Sequence, residues 1–344
     1  MGLQQLHNGD ESLFSAFAES RIGGRPENQD SYGFAETPWG FLVTVCDGMG
    51  GGPGGKTASL IAVREIVEGV VNASEDEEKP NILIKAIRRA NMAIIEAGNE
   101  DPSLKGMGST TTVLLISERS ALAAYVGDSR VYQLRGRKKI YRTFDHSMVF
   151  DLVKQHVITE EQARLSSQSN IITRALGVKP DVEVDIQELT FEKGDRFVLC
   201  SDGIHGVMPE KNLIGMFSLK KPVGVVTDQV ATYVDNQGRQ EGLGYDNLTI
   251  VMLEMKKDSI MRPVMAKRTK FVVMVLAVIC TISIVANVAQ LTKYCHMREN
   301  MVPRDSLLGY QKQDSVQRDT IKHLHDKILK VESKIKEFDH KLNN

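Results

Sequence analysis

Cysteine is scarce in this chain. The four residues, at 46, 200, 280 and 295, lie far apart and form no C-x-x-C pair. That argues against both a disulfide framework and a structural zinc site. Excess charge of either sign is also missing: the formal net charge is −1 over 344 residues, with no strongly basic domain to neutralise phosphates. A nucleic-acid partner is therefore not expected. The first thirty residues have no apolar core of the kind a signal peptide needs, so the N-terminal part is expected to stay in the cytoplasm. Long apolar runs are absent until residue 271.

What is present centres on 41–59, FLVTVCDGMGGGPGGKTAS. Its first six residues are apolar and rich in β-branched types, which predicts a buried strand. The run stops at Asp47 and Gly48, and 48–55 contains six glycines. From Thr57 onward Leu60, Ile61, Val63, Ile66, Val67 and Val70 are spaced for one buried helical face. A carboxylate at a strand tip, beside a backbone free to approach a ligand, is a good place for chemistry. Two readings compete for it. Residues 50–57 fit the pattern G-x-x-x-x-G-K-[ST], which would make Lys56 a phosphate lysine and the chain a P-loop nucleotidase. Alternatively Asp47 is a metal ligand, which requires carboxylates on other strand ends.

The rest of the chain supplies them. Residues 13–35 read as two strands around a polar turn that carries Arg25, Gln29 and Asp30. Arg25 there can hold a phosphate through its planar guanidinium. Helices are predicted over 57–72 and 81–98, separated by an acidic turn. Apolar runs broken by Gly, Ser and Arg then follow, the behaviour of an antiparallel meander and not of a doubly wound sheet. Asp128 follows one such run in GDSR, Asp202 ends RFVLCS, and Asp246 precedes LTIVMLEM. Residues 148–180 read as a polar, partly helical flap. Carboxylates gathered at strand ends are hard oxygen donors suited to Mg²⁺ or Mn²⁺.

The ordered motifs ENQD, VCDGMGG, GSTTT, VGDSR, DHS, CSDGI and YDNLT resemble those of the metal-dependent protein phosphatases, the PPM or type 2C family, in its bacterial branch. The resemblance spans roughly 12–255. It implies an α+β, four-layer α-β-β-α sandwich of two antiparallel sheets flanked by helices, and hydrolysis of phosphoserine and phosphothreonine in proteins. It also implies that Asp47 bridges two metal ions, that the Gly48 carbonyl coordinates one, and that Asp202 and Asp246 complete the site. Arg25 matches the phosphate-binding arginine and Asp30 an acidic residue near the metals. Asp128 matches a ligand of a third, weaker ion. Two positions depart from the pattern: Gln29 stands where Glu is frequent, and Gly206 where an Asp serving the third ion is frequent. The second departure leaves a catalytically weak phosphoprotein-binding scaffold as an alternative.

Composition changes after residue 255. Residues 256–270 carry six Lys or Arg and one Asp, and 271–291 carry no charge. About twenty apolar residues span the hydrocarbon core of a bilayer. The expected organisation is a phosphatase domain over 1–255, a basic linker over 256–270, one membrane helix over 271–291 and a tail over 292–344. Only Lys293, Arg298 and Arg304 follow the helix closely, so the positive-inside rule puts the phosphatase in the cytoplasm and the tail outside. In the tail, Ile321, Leu324, Ile328, Val331, Ile335, Phe338 and Leu342 alternate at three- and four-residue steps. This heptad segment, 321–342, predicts a coiled coil or an amphipathic helix, and so a homodimer or a protein partner.

Overall fold

Short apolar runs become central strands that bury both faces, because they are packed between a second sheet and a layer of helices. The computed structural model describes residues 2–7, 12–50, 52–241, 245–260, 287–293 and 322. The chain divides into two units, Met1–Arg262 and Pro263–Asn344. In the first, the chain runs β1 (Gln4–His7), β2 (Phe14–Arg21), β3 (Asp30–Thr37), β4 (Gly40–Met49), α1 (Gly52–Val71) and α2 (Lys79–Glu100). Next come β5 (Gly108–Ser109), β6 (Thr111–Ile116), β7 (Ala121–Val126), β8 (Arg130–Arg135) and β9 (Lys138–Arg142). The flap holds α3 (Met148–Lys154) and α4 (Glu160–Arg164). The remainder is β10 (Asp185–Leu189), β11 (Asp195–Cys200), α5 (Asp202–His205), α6 (Glu210–Phe217), α7 (Val223–Glu241) and β12 (Leu248–Met255).

One sheet has the order β1-β2-β12-β11-β8-β9, and the other β10-β7-β6-β4-β3 with β5 beside β4. All pairings are antiparallel. The two-residue period of a strand decides which core each side chain joins. On β4, Val43 and Val45 enter the layer between the sheets, whereas Leu42 and Cys46 face α1 and α2. On β11, Phe197 and Leu199 point inward, and Val198 and Cys200 meet α6 and α7. The expected four-layer α-β-β-α sandwich is thus the observed one. Cys46 and Cys200 are core packing residues, and burial pushes their thiols up to about 11 and about 12.

The expected helices 57–72 and 81–98 are longer. The first begins at Gly52, inside the glycine segment, because the loop folds straight back onto β4. Gly48 packs so closely on the Gly55 carbonyl that a β-carbon there would collide with it. The flap is two short helices around Val149, Phe150 and Ala163. It is tied down where Arg142 Nη1 donates to Glu160 at 2.7 Å and to Glu210 at 2.8 Å.

Of the expected membrane span, 271–286 lie outside the described residues, and 287–293 are helical. Among the described residues no helix is long and apolar enough to cross a membrane. The heptad segment, Lys322 apart, likewise lies outside them.

Candidate active site

Asp47, near the end of β4, stands directly opposite Asp30, the first residue of β3, in the antiparallel register. Its backbone is braced by the GSTTT segment. Asp47 N–H donates to Thr110 Oγ1 at 3.0 Å. The Asp47 carbonyl accepts from Thr110 N–H at 2.8 Å and from Ser109 Oγ at 3.0 Å. The adjacent Gly48 N–H donates to the Gln29 carbonyl at 3.2 Å, fixing the polar turn to the strand tip.

Asp202 opens α5 immediately after β11, and Asp246 lies just ahead of β12. Asn247 locks the second of these in place. Its N–H donates to Asp246 Oδ1 at 2.8 Å, and its amide nitrogen donates to the carbonyls of Ile22 at 2.7 Å and Glu27 at 2.9 Å. Its side-chain oxygen accepts from Gln29 N–H at 2.8 Å. Arg25 Nη2 donates to Asp246 Oδ2 at 2.8 Å from the same turn. Two glycines grip the 246–247 segment. A β-carbon on Gly23, whose φ is +64°, would collide with the Asp246 carbonyl, and one on Gly203 with the Asn247 carbonyl. A positive φ and a close backbone approach are both conditions that glycine meets at least cost.

Arg25, Asp47, Gly48, Asp128, Asp202 and Asp246 line one cleft of about 400 Å³, together with Thr110 and Asn247. The flap adds Asn170 and Ile172. Asp30 does not line it but sits buried alongside, where Oδ2 accepts from Ser201 Oγ at 2.7 Å. Asp128 is placed by a turn whose Gly127 N–H donates to His146 Nδ1 at 3.1 Å. The Asp128 carbonyl meets His205 Nε2 at 3.0 Å. Burial pushes His205 down to about 3, so the ring is neutral at physiological pH and Nε2 carries the donated proton. Gly206 caps α5, its N–H donating to the Asp202 carbonyl at 2.7 Å, and brings no carboxylate to Asp128.

The electrostatics are one-sided. Burial, and then the charge of Asp246, raise Asp30 to about 6 against the hydrogen bonds of Ser201 and Thr249. Burial and Asp145 raise Asp128 to about 7. Asp47 is held well above the carboxylate range by burial and by Asp30 and Asp202, and Asp202 by burial and by Asp128 and Asp246. Asp145 shows the contrast. Burial would raise it too, but the buried Arg130, whose Nη2 donates at 2.6 Å, carries it below its ordinary value. Among the described residues, Asp47, Asp128 and Asp202 have no such salt-bridge partner in the cleft. Asp30 Oδ1 and Asp202 Oδ1 are buried without a hydrogen bond. Among the described residues no three acidic, His or Cys side chains are drawn together as a finished ligand cluster. The donors are nonetheless all oxygen, crowded and short of positive charge, and they fit hard divalent cations.

The P-loop expectation fails here. Residues 52–71 are helix, and Lys56 turns away from the cleft to donate to the Asp30 carbonyl at 3.0 Å and to Ser31 Oγ at 3.2 Å. The sheets are antiparallel, without the strand–helix alternation that fold needs. Of the residues expected from sequence, Arg25, Asp47, Gly48, Asp128, Asp202 and Asp246 line the cleft, and Asp30 lies buried beside it. Asn247, Ser201, Thr110 and Asn170 also serve the site, without a signal for it in their own sequence neighbourhood. The first three belong to the YDNLT, CSDGI and GSTTT motifs, but their bonds join residues too distant in sequence to leave a local pattern.

The sequence matches the family model "Protein phosphatase 2C" over residues 19–244. It is 32% identical over 246 residues to the serine/threonine phosphatase stp of Listeria monocytogenes, covering 70% of this chain and 96% of that protein. The fold is similar to the crystal structure of serine/threonine phosphatase Stp1 from Staphylococcus aureus, with TM-score 0.65 and 27% identity over 72% of this chain and 98% of that one. It is also similar to the catalytic domain of the protein phosphatase PstP in complex with two manganese ions, with TM-score 0.59 and 28% identity over 70% of this chain and 97% of that one. With the sandwich, the cleft and these relatives in agreement, the chain belongs to the protein phosphatase 2C family and is a serine/threonine phosphatase.

Proposed function

We propose that this chain hydrolyses phosphoserine and phosphothreonine in proteins at a binuclear Mg²⁺ or Mn²⁺ site, with the reaction held at the cytoplasmic face of a membrane. The observation that carries the metal site is the cleft itself. Asp47, Asp128, Asp202 and Asp246 line it with no basic partner other than Arg25, and Asp202 Oδ1 is buried without a hydrogen bond. Asp47, the Gly48 carbonyl, Asp202 and Asp246 would hold two ions. Asp128 would offer one weak ligand to a third, since Gly206 contributes none. Such ions, when bound, supply acidified water and neutralise phosphoryl charge.

The chain's own residues do the rest. Arg25 is 46% exposed at its side chain and presents a planar guanidinium to a phosphoryl group at the cleft mouth. Asp30, fixed by Ser201, stands beside Asp47 where it can orient a bound water or hold its proton. Water forms the new bond to phosphorus, the bond from phosphorus to the serine or threonine oxygen breaks, and a proton passes to that oxygen. A covalent phosphoenzyme has no candidate thiol in the cleft, because Cys46 and Cys200 are core residues with raised thiol pKa values. Hydrolysis of a phosphothreonine peptide by the full-length protein tests this. Activity should need Mn²⁺ and disappear with chelator and in Asp47→Asn and Asp202→Asn; activity indifferent to all three would sink the proposal.

The anchor and tail rest on the sequence. The uncharged run 271–291 and its basic flank 256–270 support one membrane crossing, with 1–255 inside and 292–344 outside. The 321–342 heptads support a dimer or a protein partner beyond the membrane. Alkaline extraction of membranes, and protease protection of each end, decide this topology. Release at alkaline pH would refute the anchor.

A further inference from the structure

Lys56 belongs to the glycine motif, yet it has no part in the cleft chemistry described above. Its position is nonetheless specific. It lies in the first turns of α1, and its ammonium reaches back to the Asp30 carbonyl at 3.0 Å and to Ser31 Oγ at 3.2 Å. Ser31 Oγ shares a 2.8 Å hydrogen bond with Ser59 Oγ, and Ser59 Oγ donates to the Gln29 carbonyl at 2.6 Å. Three successive residues, Gln29 and the first two of β3, are therefore gripped by one helix. On the other side, Asp30 faces Asp47 in register and takes the Ser201 hydroxyl. Neither Lys56 nor Ser59 lines the cleft.

We propose that Lys56 is a positioning residue for the phosphatase reaction, an ammonium clamp on the Asp30 carbonyl that holds the Asp30 carboxylate against Asp47. The proposal rests on the metal-dependent reading of the cleft. A lysine suits this place because its tetrahedral ammonium donates to the carbonyl and the hydroxyl at once. A neutral side chain of the same length fills the space but leaves both acceptors without it.

The test uses the full-length protein with para-nitrophenyl phosphate and Mn²⁺, comparing wild type with Lys56→Met, Lys56→Gln and Lys56→Arg. Outer groups that orient a metal site typically contribute roughly 10- to 100-fold in activity or metal affinity. Lys56→Met should lose kcat on that scale with KM unchanged, and should bind Mn²⁺ more weakly by calorimetry. Lys56→Arg should recover most of both. If Lys56→Met does not fold, Lys56→Gln, whose amide keeps N–H donors but carries no charge, decides by the same two readouts. A folded Met or Gln variant with wild-type kcat and Mn²⁺ affinity overturns the clamp. So does a rise in KM alone, which would make Lys56 a substrate contact. Wild-type activity that survives both chelator and Asp47→Asn would overturn the cleft assignment itself, and the clamp with it.

Discussion

The hydroxyl of Ser201 donates to Asp30 Oδ2 at 2.7 Å, and with that single bond the end of β11 in one sheet is joined to the start of β3 in the other. The same hydroxyl accepts from Thr249 N–H at 3.0 Å, so β12 enters the junction as well. Three strands from distant parts of the chain thus meet behind the cleft. Ser201→Ala should cost about 1 kcal/mol of stability, the usual net value of one hydrogen bond. It should also raise the Asp30 carboxyl further, since the bond now lowers it. Denaturant melts and the acid limb of the pH–rate profile measure the two effects.

The raised carboxylates make the metal-free protein sensitive to pH. Burial lifts Asp30 from 3.8 to about 6 and Asp128 to about 7. Folding favours their protonated forms, so this contribution is complete below 3.8 and is lost as pH rises through those values. His146 and His205, pushed below 6.5 by burial, act in the opposite sense, and their contribution is complete above 6.5. Above 6.5 these histidines no longer change the balance. With chelator present, the melting temperature should fall between pH 6.5 and about 8. Mn²⁺ should remove that slope, because deprotonated ligands bind it better. Calorimetry with and without metal tests both halves.

Asp202→Asn should separate stability from activity. The substitution removes a carboxyl that burial, and then Asp128 and Asp246, make costly to ionise, and that has a buried oxygen without a hydrogen bond. The chelated variant should melt about 2–4 °C higher than chelated wild type, the shift that roughly 1 kcal/mol gives in a domain of this size. Its phosphatase activity should fall by about two orders of magnitude or more, a loss of the size seen when one strong transition-state contact is removed. A melt and an assay on the same preparation settle it.

Arg25→Lys should behave as a loss, not as a conservative change. A guanidinium meets a phosphoryl group with two parallel donors, whereas an ammonium is a point charge on a flexible stem. A drop in kcat/KM on the order of tenfold, equivalent to about 1.4 kcal/mol, is expected for both the Lys and Ala variants. Steady-state kinetics on a phosphopeptide give the number.

Asn247→Ala removes three side-chain hydrogen bonds that pin the 22–29 turn: two donated to carbonyls and one accepted from Gln29. Leaving those backbone groups without partners should cost about 2 kcal/mol. The turn that carries Arg25 would loosen, so kcat/KM should fall further than stability alone explains. Melts paired with kinetics distinguish the two contributions.

The strand tips were legible because each is an apolar run cut short by Asp, a pattern confined to a few adjacent residues. Asp47, Asp202 and Asp246 could be read that way, and so could Cys46 and Cys200 as packing groups. The burial of Asp30 could not, because its turn is as polar as any solvated one; the fold buries it by bringing Ser201 across 171 positions. Asn247 belongs to the YDNLT motif, but its partners Ile22 and Glu27 lie more than two hundred residues upstream. The early start of α1 was hidden by glycine, which has poor helix propensity and was overridden by the return of the loop onto β4. Strands β1 and β10 are short, exposed at the sheet edges, and lack the apolar alternation that marks β2 or β12.

Gly23 and Gly203 close on the 246–247 backbone from two sides, with no space for a β-carbon at either. The spacing of the cleft is therefore recorded in two residues that carry no functional group. One added methyl, itself without charge, would wedge Asp246 out of alignment while every acidic side chain and Arg25 remained in the sequence. A relative could keep the whole set of carboxylates and still be silent, and these two positions are where its silence would be written.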